Sequence, residues 1–262
     1  MLAAVGEPFE FAKQQMTLPF PTWTAGTAIS SFVSRNLEDG DGLPDHEDTV
    51  KYAAMSLYTG GSDTTASALT SFFLAMTLYP EVQCRAQAEL DAVIGTDRLP
   101  NFEDRDRLPY INALRYEILR WMPVGPLAVP HRLMEDDVYD GYFLPKGAIV
   151  SGISWRILHD PKCYHDPMEF KPERFLASDS KEPELDPSKF AFGYGRRSTI
   201  RLLILLCTGS SALCSICLGI LVAEATMFIT IASTLAMFNI ASVVENGRPV
   251  LPPFQQTSGI IT

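Results

Sequence analysis

Cys217 is one of the residues of this chain whose type suits a metal ligand. Phe192-Gly193-Tyr194-Gly195-Arg196-Arg197 brings an aromatic ring, two alternating glycines and two arginines onto one short stretch, and Cys217-Leu218-Gly219 completes it after an apolar-rich interval. Glycines let a backbone turn tightly beside a bulky group, and a thiolate is a soft, electron-rich ligand. Cys214-Ser215-Ile216-Cys217 is also a Cys-x-x-Cys. A zinc site would need a second close Cys/His pair, and a thioredoxin-like redox pair would need a βαβ setting; neither is visible.

Three other groups could do or support chemistry. Gly60-Gly61-Ser62-Asp63-Thr64-Thr65 sits inside a long helical pattern. Glycines and threonines weaken a helix there, and a local opening would leave an acid and a hydroxyl beside a cavity, fit for handling protons and a small oxygen ligand. A kink tolerated by packing explains the same residues equally well. Glu117 and Arg120 lie three apart and share a helix face, which alone reads as a surface ion pair. Arg174, in Pro172-Glu173-Arg174-Phe175, changes that weighing, because guanidinium forks and a carboxylate from separate segments can form a buried cluster. Arg132, after a proline-rich turn, could pair with an acidic group on a cofactor, although by itself it reads as an ordinary exposed arginine.

The elements that must position these residues are mostly helical. A long helix is expected from Thr49 to about Tyr79, a second opens at Pro80 and stops at Gly95, and a third covers roughly Leu108 to Trp121. Asn36 to Asp48 reads as an acidic loop. Beyond Pro123 come short strands, with Asp140-Gly141 as a hairpin turn and Pro145-Lys146-Gly147 as another. Leu202 to Val222 and Ala225 to Val244 are free of charge. Each meets the length of a membrane-spanning helix, although the second suits a helix buried in an α domain better. Cys84, Cys163 and Cys207 read as small packed apolar residues.

Composition narrows the function further. A net charge of −10 argues against a nucleic-acid partner, which wants a basic face. Five cysteines at irregular spacing do not form a disulfide framework, and Met1 to Ala12 lacks a secretory signal's apolar core, so an intracellular, reducing compartment is expected.

Taken in order, the acid-threonine helix, Glu117-x-x-Arg120, Pro172-Glu173-Arg174-Phe175 and the glycine-rich approach to a cysteine resemble the cytochrome P450 family, and the phrasing is most similar to fungal members. His159-Asp160-Pro161 and Asp166-Pro167 with Phe170 add to the likeness. The resemblance covers about Tyr52 to Val250. It implies a mostly α fold with small β-sheets, here the C-terminal half of that fold. It implies a haem-dependent monooxygenase that oxidises a small apolar substrate with dioxygen and electrons from an NADPH-dependent reductase, as in fungal secondary metabolism. By the same resemblance Asp63 and Thr64 handle oxygen and protons, Arg132 and Arg197 meet haem propionates, Phe192 and Gly195 shape the ligand loop, and Cys217 is the axial iron ligand. Glu117, Arg120 and Arg174 form the structural cluster. Association with the endoplasmic-reticulum membrane also follows from the resemblance, although the family's anchor is not in this sequence.

The family pattern is interrupted in this chain. Ser198 to Ser215 stands as an insertion between Arg197 and the Cys217 remnant, and reads as translated intron or a displaced exon boundary. The whole chain is expected to be one incomplete domain: helical pieces and an acidic loop (1–48), helices and short sheets with the motifs (49–197), the insertion (198–215), and the ligand remnant with a last helix (216–262). A competing expectation is a non-catalytic, haem-free remnant attached to membrane through Leu202 to Val222.

Overall fold

The computed structural model describes residues 6–7, 9–11, 13–14, 32–38, 45–178, 182–194, 217, 219–245, 248–250 and 252. They divide into two compact units, residues 1–63 and 64–262. The expected fold class holds: helices dominate, and among the described residues the strands form three separate antiparallel pairs.

In the first unit, α1 (Phe32–Glu38) and the start of α2 (His46–Leu78) surround a small core of Phe9, Val33 and Val50. These helices take residues from both ends of the expected Asn36–Asp48 loop. The acidic side chains of Glu47 and Asp48 favour a helix start, because they complement the partial positive charge of its free amides. His46 Nε2 lies 2.6 Å from the Asn36 carbonyl, and Lys13 donates to Glu47 at 2.6 Å.

Helix α2 continues as unbroken α-helix through Gly60-Gly61, so the expected local opening is absent. Each glycine costs about 1 kcal/mol against alanine in a helix interior. A helix of 33 residues has enough propagating hydrogen bonds to absorb that. Hydroxyl groups are satisfied on the preceding turn: Thr59 donates to the Met55 carbonyl at 2.9 Å, and Thr70 to Ala66 at 2.9 Å.

The second unit is built on α3 (Pro80–Val93), α4 (Pro109–Trp121) and α7 (Ile220–Met237). Proline at the first turn opens both α3 and α4, where its missing N–H costs nothing. Gly95, at φ +77°, ends α3. The three helices bury Leu90, Ile111, Leu114, Ile118, Phe228, Ile231 and Leu235 in one core. Gln83 clamps the chain after α7, donating to the Ile240 carbonyl at 2.8 Å and accepting from its amide at 2.7 Å. A 3-10 turn, Phe102–Arg107, precedes α4 and is capped by Asn101 and Asp104 in a reciprocal box.

The strands are short. β1 (His131–Arg132) pairs with β4 (Ile149–Val150), β2 (Asp137–Tyr139) with β3 (Tyr142–Leu144), and β5 (Val243–Glu245) with β6 (Arg248–Val250). Asp140 and Gly141 both have positive φ, 50° and 81°, which is the two-residue turn that matches strand twist. The segment after β4 forms a short helix, α5 (Ser154–Leu158), a 3-10 turn at Pro172–Phe175, and α6 (Ser188–Ala191).

Among the described residues one helix, α7, is long and apolar enough to cross a membrane, with a mean hydropathy of 1.8. Its Met227, Phe228, Ile231 and Leu235 are buried in the protein core, while Leu221, Val222 and Met237 are exposed. Residues 202–216 and 218, most of the first charge-free run, lie outside the described residues, as does Cys207. Cys84 is exposed and Cys163 half-buried, which corrects the expectation that both pack as apolar residues. Cys84 falls on the solvent side of α3, next to the exposed Arg85 and away from the buried Val82, Gln83 and Ala86.

Candidate active site

Cys217 lies just before α7, and its amide donates to the Phe192 carbonyl at 3.3 Å. That bond joins the two ends of the interrupted loop: the aromatic that opens the glycine stretch holds the cysteine that closes it. The Cys217 carbonyl accepts from Ile220 at 3.1 Å, the first turn of the following helix. The thiol is free and exposed. A Cβ added at Gly219 would meet Cys217 Sγ at 3.6 Å, so sulfur lies directly over that glycine. Gly195 and Arg197 lie outside the described residues.

The approach to the cysteine is anchored on its other side. Tyr194 sets its ring on Gly152, where an added Cβ would lie 2.6 Å from Tyr194 Cε2. Tyr194 Oη and Ser154 Oγ are 2.9 Å apart, and Ser154 also donates to the Phe190 carbonyl at 3.1 Å. Burial pushes the Tyr194 phenol above its ordinary value, and the Ser154 contact pulls it back. Only a glycine at 152 leaves room for that ring. Ile149, Val150 and Ile153, on the same segment, are exposed large apolar side chains, as are Leu127 and Val129 before β1. Arg132 is exposed in β1 and lays its guanidinium along Gly147, 3.5 Å from an added Cβ.

A flat apolar macrocycle with a central metal and acidic edge groups asks for one open soft ligand, apolar surface and a nearby cation. Exposed Cys217, the uncovered aliphatic side chains of 127–153 and exposed Arg132 are of the right kinds for such a group. No cluster of three or more His, Cys, Asp or Glu side chains suited to a bare metal ion occurs among the described residues.

Glu117, Arg120 and Arg174 are brought together and buried. Arg120 grips Glu117 with both faces of its fork, at 2.7 Å from Nε and 2.7 Å from Nη2. Arg174 Nε lies 3.1 Å from Glu117 Oε2, and the Lys171 amide donates to Glu117 at 2.7 Å. Arg120 also donates to the carbonyls of Leu158, Pro167 and Glu169. Arg174 donates to Glu184 at 2.8 Å. Burial pushes the Glu117 carboxyl up, and the two guanidiniums and the Lys171 amide pull it back down. The cluster is a knot between α4 and the irregular 158–175 segment. Asp63 is exposed and Thr64 half-buried on consecutive positions of α2.

Several buried polar residues escaped the sequence reading. Arg115 in α4 is 1 % exposed and Glu224 in α7 is 4 % exposed, with Arg115 Nη1 3.4 Å from Glu224 Oε1. Arg105 reaches the other oxygen of Glu224 at 3.3 Å. Glu224 is the single charge within α7, which was the available signal. A separate recess of about 540 Å³, lined by Tyr79, Arg85, Phe170 and Glu173 among others, includes none of the candidate site residues.

Residues 25–200 match the family model for cytochrome P450. The chain is 50% identical over 256 residues to the cytochrome P450 monooxygenase claR of Ampulloclitocybe clavipes, covering 97% of this chain and 43% of that protein. It is 42% identical to a tryptamine 4-monooxygenase of Psilocybe cyanescens, covering 95% of this chain and 48% of the relative. A solved zebrafish cytochrome P450 with abiraterone superposes at a TM-score of 0.70 and 26% identity, covering 97% of this chain and 55% of that one. The chain therefore spans about half the length of the relatives it matches.

Proposed function

This chain belongs to the cytochrome P450 family, and from that premise we propose that it supplies the ligand half of a haem-thiolate monooxygenase, in which Cys217 would hold the haem iron. The family is one of haem-dependent oxidoreductases. The observation that carries the reading for this chain is the bond from the Cys217 amide to the Phe192 carbonyl, which keeps the cysteine beside its glycine-rich approach despite the intervening residues.

When bound, haem supplies the oxidising chemistry, with a thiolate ligand pushing electron density through iron to favour O–O cleavage. The chain's own residues do the positioning. Cys217, held by Phe192 and close to Gly219, would present its sulfur just before α7. Arg132, with Arg197, balances the acidic edge groups of the cofactor. Phe192 and Gly195 shape the loop. Thr64, half-buried, would offer its hydroxyl towards the haem side, and Asp63, exposed on the same helix, would pass protons from solvent. The Glu117–Arg120–Arg174 knot fixes the scaffold. The substrate is a small apolar molecule, oxidised with dioxygen and electrons from an NADPH-dependent reductase at an intracellular membrane.

The test is an absorption spectrum of the purified chain with added haem, reduced and exposed to carbon monoxide, beside Cys217→Ser. A Soret band at the thiolate position in the parent, lost in Cys217→Ser, supports the assignment. No such band, with haem lost on gel filtration, refutes it and leaves a non-catalytic, haem-free remnant.

A further inference from the structure

Glu224 is the single charged residue of helix α7, and its carboxylate is buried rather than turned to solvent. A buried charge is retained only against a large desolvation cost, so its partners and their location carry information. Glu224 faces two cations from two different elements: Arg115 of α4, itself 1 % exposed, and Arg105 of the 3-10 turn before α4. Arg105 also lies over the Phe228 ring, one turn further along α7, at 6.0 Å. Among the described residues Arg115 Nε and Nη1 have no hydrogen-bond acceptor, and Glu224 Oε1, 3.4 Å from Nη1, is the carboxylate that this buried guanidinium meets.

The placement of this pair along the two helices matters. Glu224 stands about one turn into α7, the helix that starts three residues after Cys217 and whose Ile220 amide donates to the Cys217 carbonyl. Arg115 stands on α4 two residues before Glu117, which is knotted to Arg120 and Arg174. Apolar packing between α4 and α7 is non-directional, so shape complementarity alone would set how α7 sits. An ion pair at one point of that face fixes one rotation and one height.

We propose that Glu224, through Arg115, is the positioning residue for Cys217: it locks α7 against α4 and thereby sets where the sulfur stands relative to Phe192. The inference rests on the assignment of Cys217 as the ligand for its functional meaning, but its structural core can be tested without haem.

The experiment is hydrogen–deuterium exchange on the haem-free full chain, parent against Glu224→Gln, followed by the reduced carbon monoxide spectrum of both after haem is added. The variant is expected to exchange the 217–224 peptide faster by about a hundredfold, while peptides from 109–121 keep their protection. In the spectrum it shifts from the thiolate to the neutral-thiol form at a temperature where helix content is unchanged. Unchanged exchange over 217–224 overturns the proposal, whatever the spectrum shows. A parent without a thiolate band defeats the ligand assignment, while the exchange result still decides the lock. Should Glu224→Gln fail to fold, Arg115→Lys keeps the charge and loses the fork. Faster exchange confined to 217–224 supports the lock there, and uniform loss over α4 and α7 overturns it. Glu224→Asp, which restores the charge, recovers part of the protection.

Discussion

Arg120→Met tests whether the buried knot holds the second unit together. Arg120 donates five hydrogen bonds: two to Glu117 at 2.7 Å, and one each to Leu158 at 3.1 Å, Pro167 at 2.6 Å and Glu169 at 3.0 Å. Methionine fills much of the volume and makes none of them. Glu117 would keep Arg174 at 3.1 Å and the Lys171 amide at 2.7 Å, so its charge is only partly stranded. Removing one partner of a buried pair costs about 3–5 kcal/mol. The Leu158 and Pro167 carbonyls lose this donor at about 1 kcal/mol each, and the added apolar burial returns about 1–2 kcal/mol. The net loss is about 4 kcal/mol, a large share of the roughly 5–15 kcal/mol that holds a domain folded. With a urea slope of about 2 kcal/mol per molar, the midpoint should fall by about 2 M, read by far-ultraviolet circular dichroism. Trp121 supplies a local probe, since its ring packs on Phe170 at 5.2 Å beside the knot. Adding Glu117→Gln to Arg120→Met removes the stranded charge and should return about half of the loss. A midpoint shift under about 0.5 M for Arg120→Met would refute the reasoning, since it would mean solvent or a rearranged Arg174 satisfies Glu117 at no cost.

His159 gives a pH dependence. It is buried, stacked on Trp155 at 4.4 Å, and held below its ordinary value first by burial and then by Arg120 and Arg174. The unfolded chain therefore takes up a proton near pH 6.5 that the folded chain refuses. Stability is full above that pH and declines as pH falls towards the folded value, by at most about 1.4 kcal/mol per pH unit. His159→Gln should flatten urea midpoints between pH 7 and 5, and an undiminished slope would assign the dependence to other groups. Gly152→Ala places a methyl 2.6 Å from the Tyr194 ring, which Ser154 pins through its hydroxyl. Overpacking of this kind costs about 1–3 kcal/mol, and in haem titrations the variant should bind more weakly because the approach to Cys217 is displaced. A companion Tyr194→Phe, freeing the ring to move, should recover part of both losses.

How far the sequence could be read depended on the range of the interaction concerned. Pro80, Gly95 and Asp140-Gly141 act within a few residues of themselves, so the helix start, the helix stop and the hairpin turn were legible from residue type alone. The two ends of the expected 36–48 loop were misread for the same local reason: its glycines and acids look like a loop, yet Glu47 and Asp48 are also what a helix N-terminus attracts. Gly60-Gly61 shows the opposite failure, where a local weakness was overruled by the length of the helix around it. Glu117 and Arg120 have the spacing of an ordinary surface pair, and nothing in that spacing says buried. What decides it is Arg174, more than fifty residues away, together with the carbonyls of a segment that has almost no regular structure. The same reasoning explains why Arg115 and Glu224 stayed hidden. On sequence, Glu224 reads as an interruption between two apolar runs, and Arg115 as one more charge on an amphipathic helix. Glu224 meets both Arg115 and Arg105, and a lone charge in a largely apolar helix is therefore better treated as a request for a buried partner than as the helix's boundary with solvent.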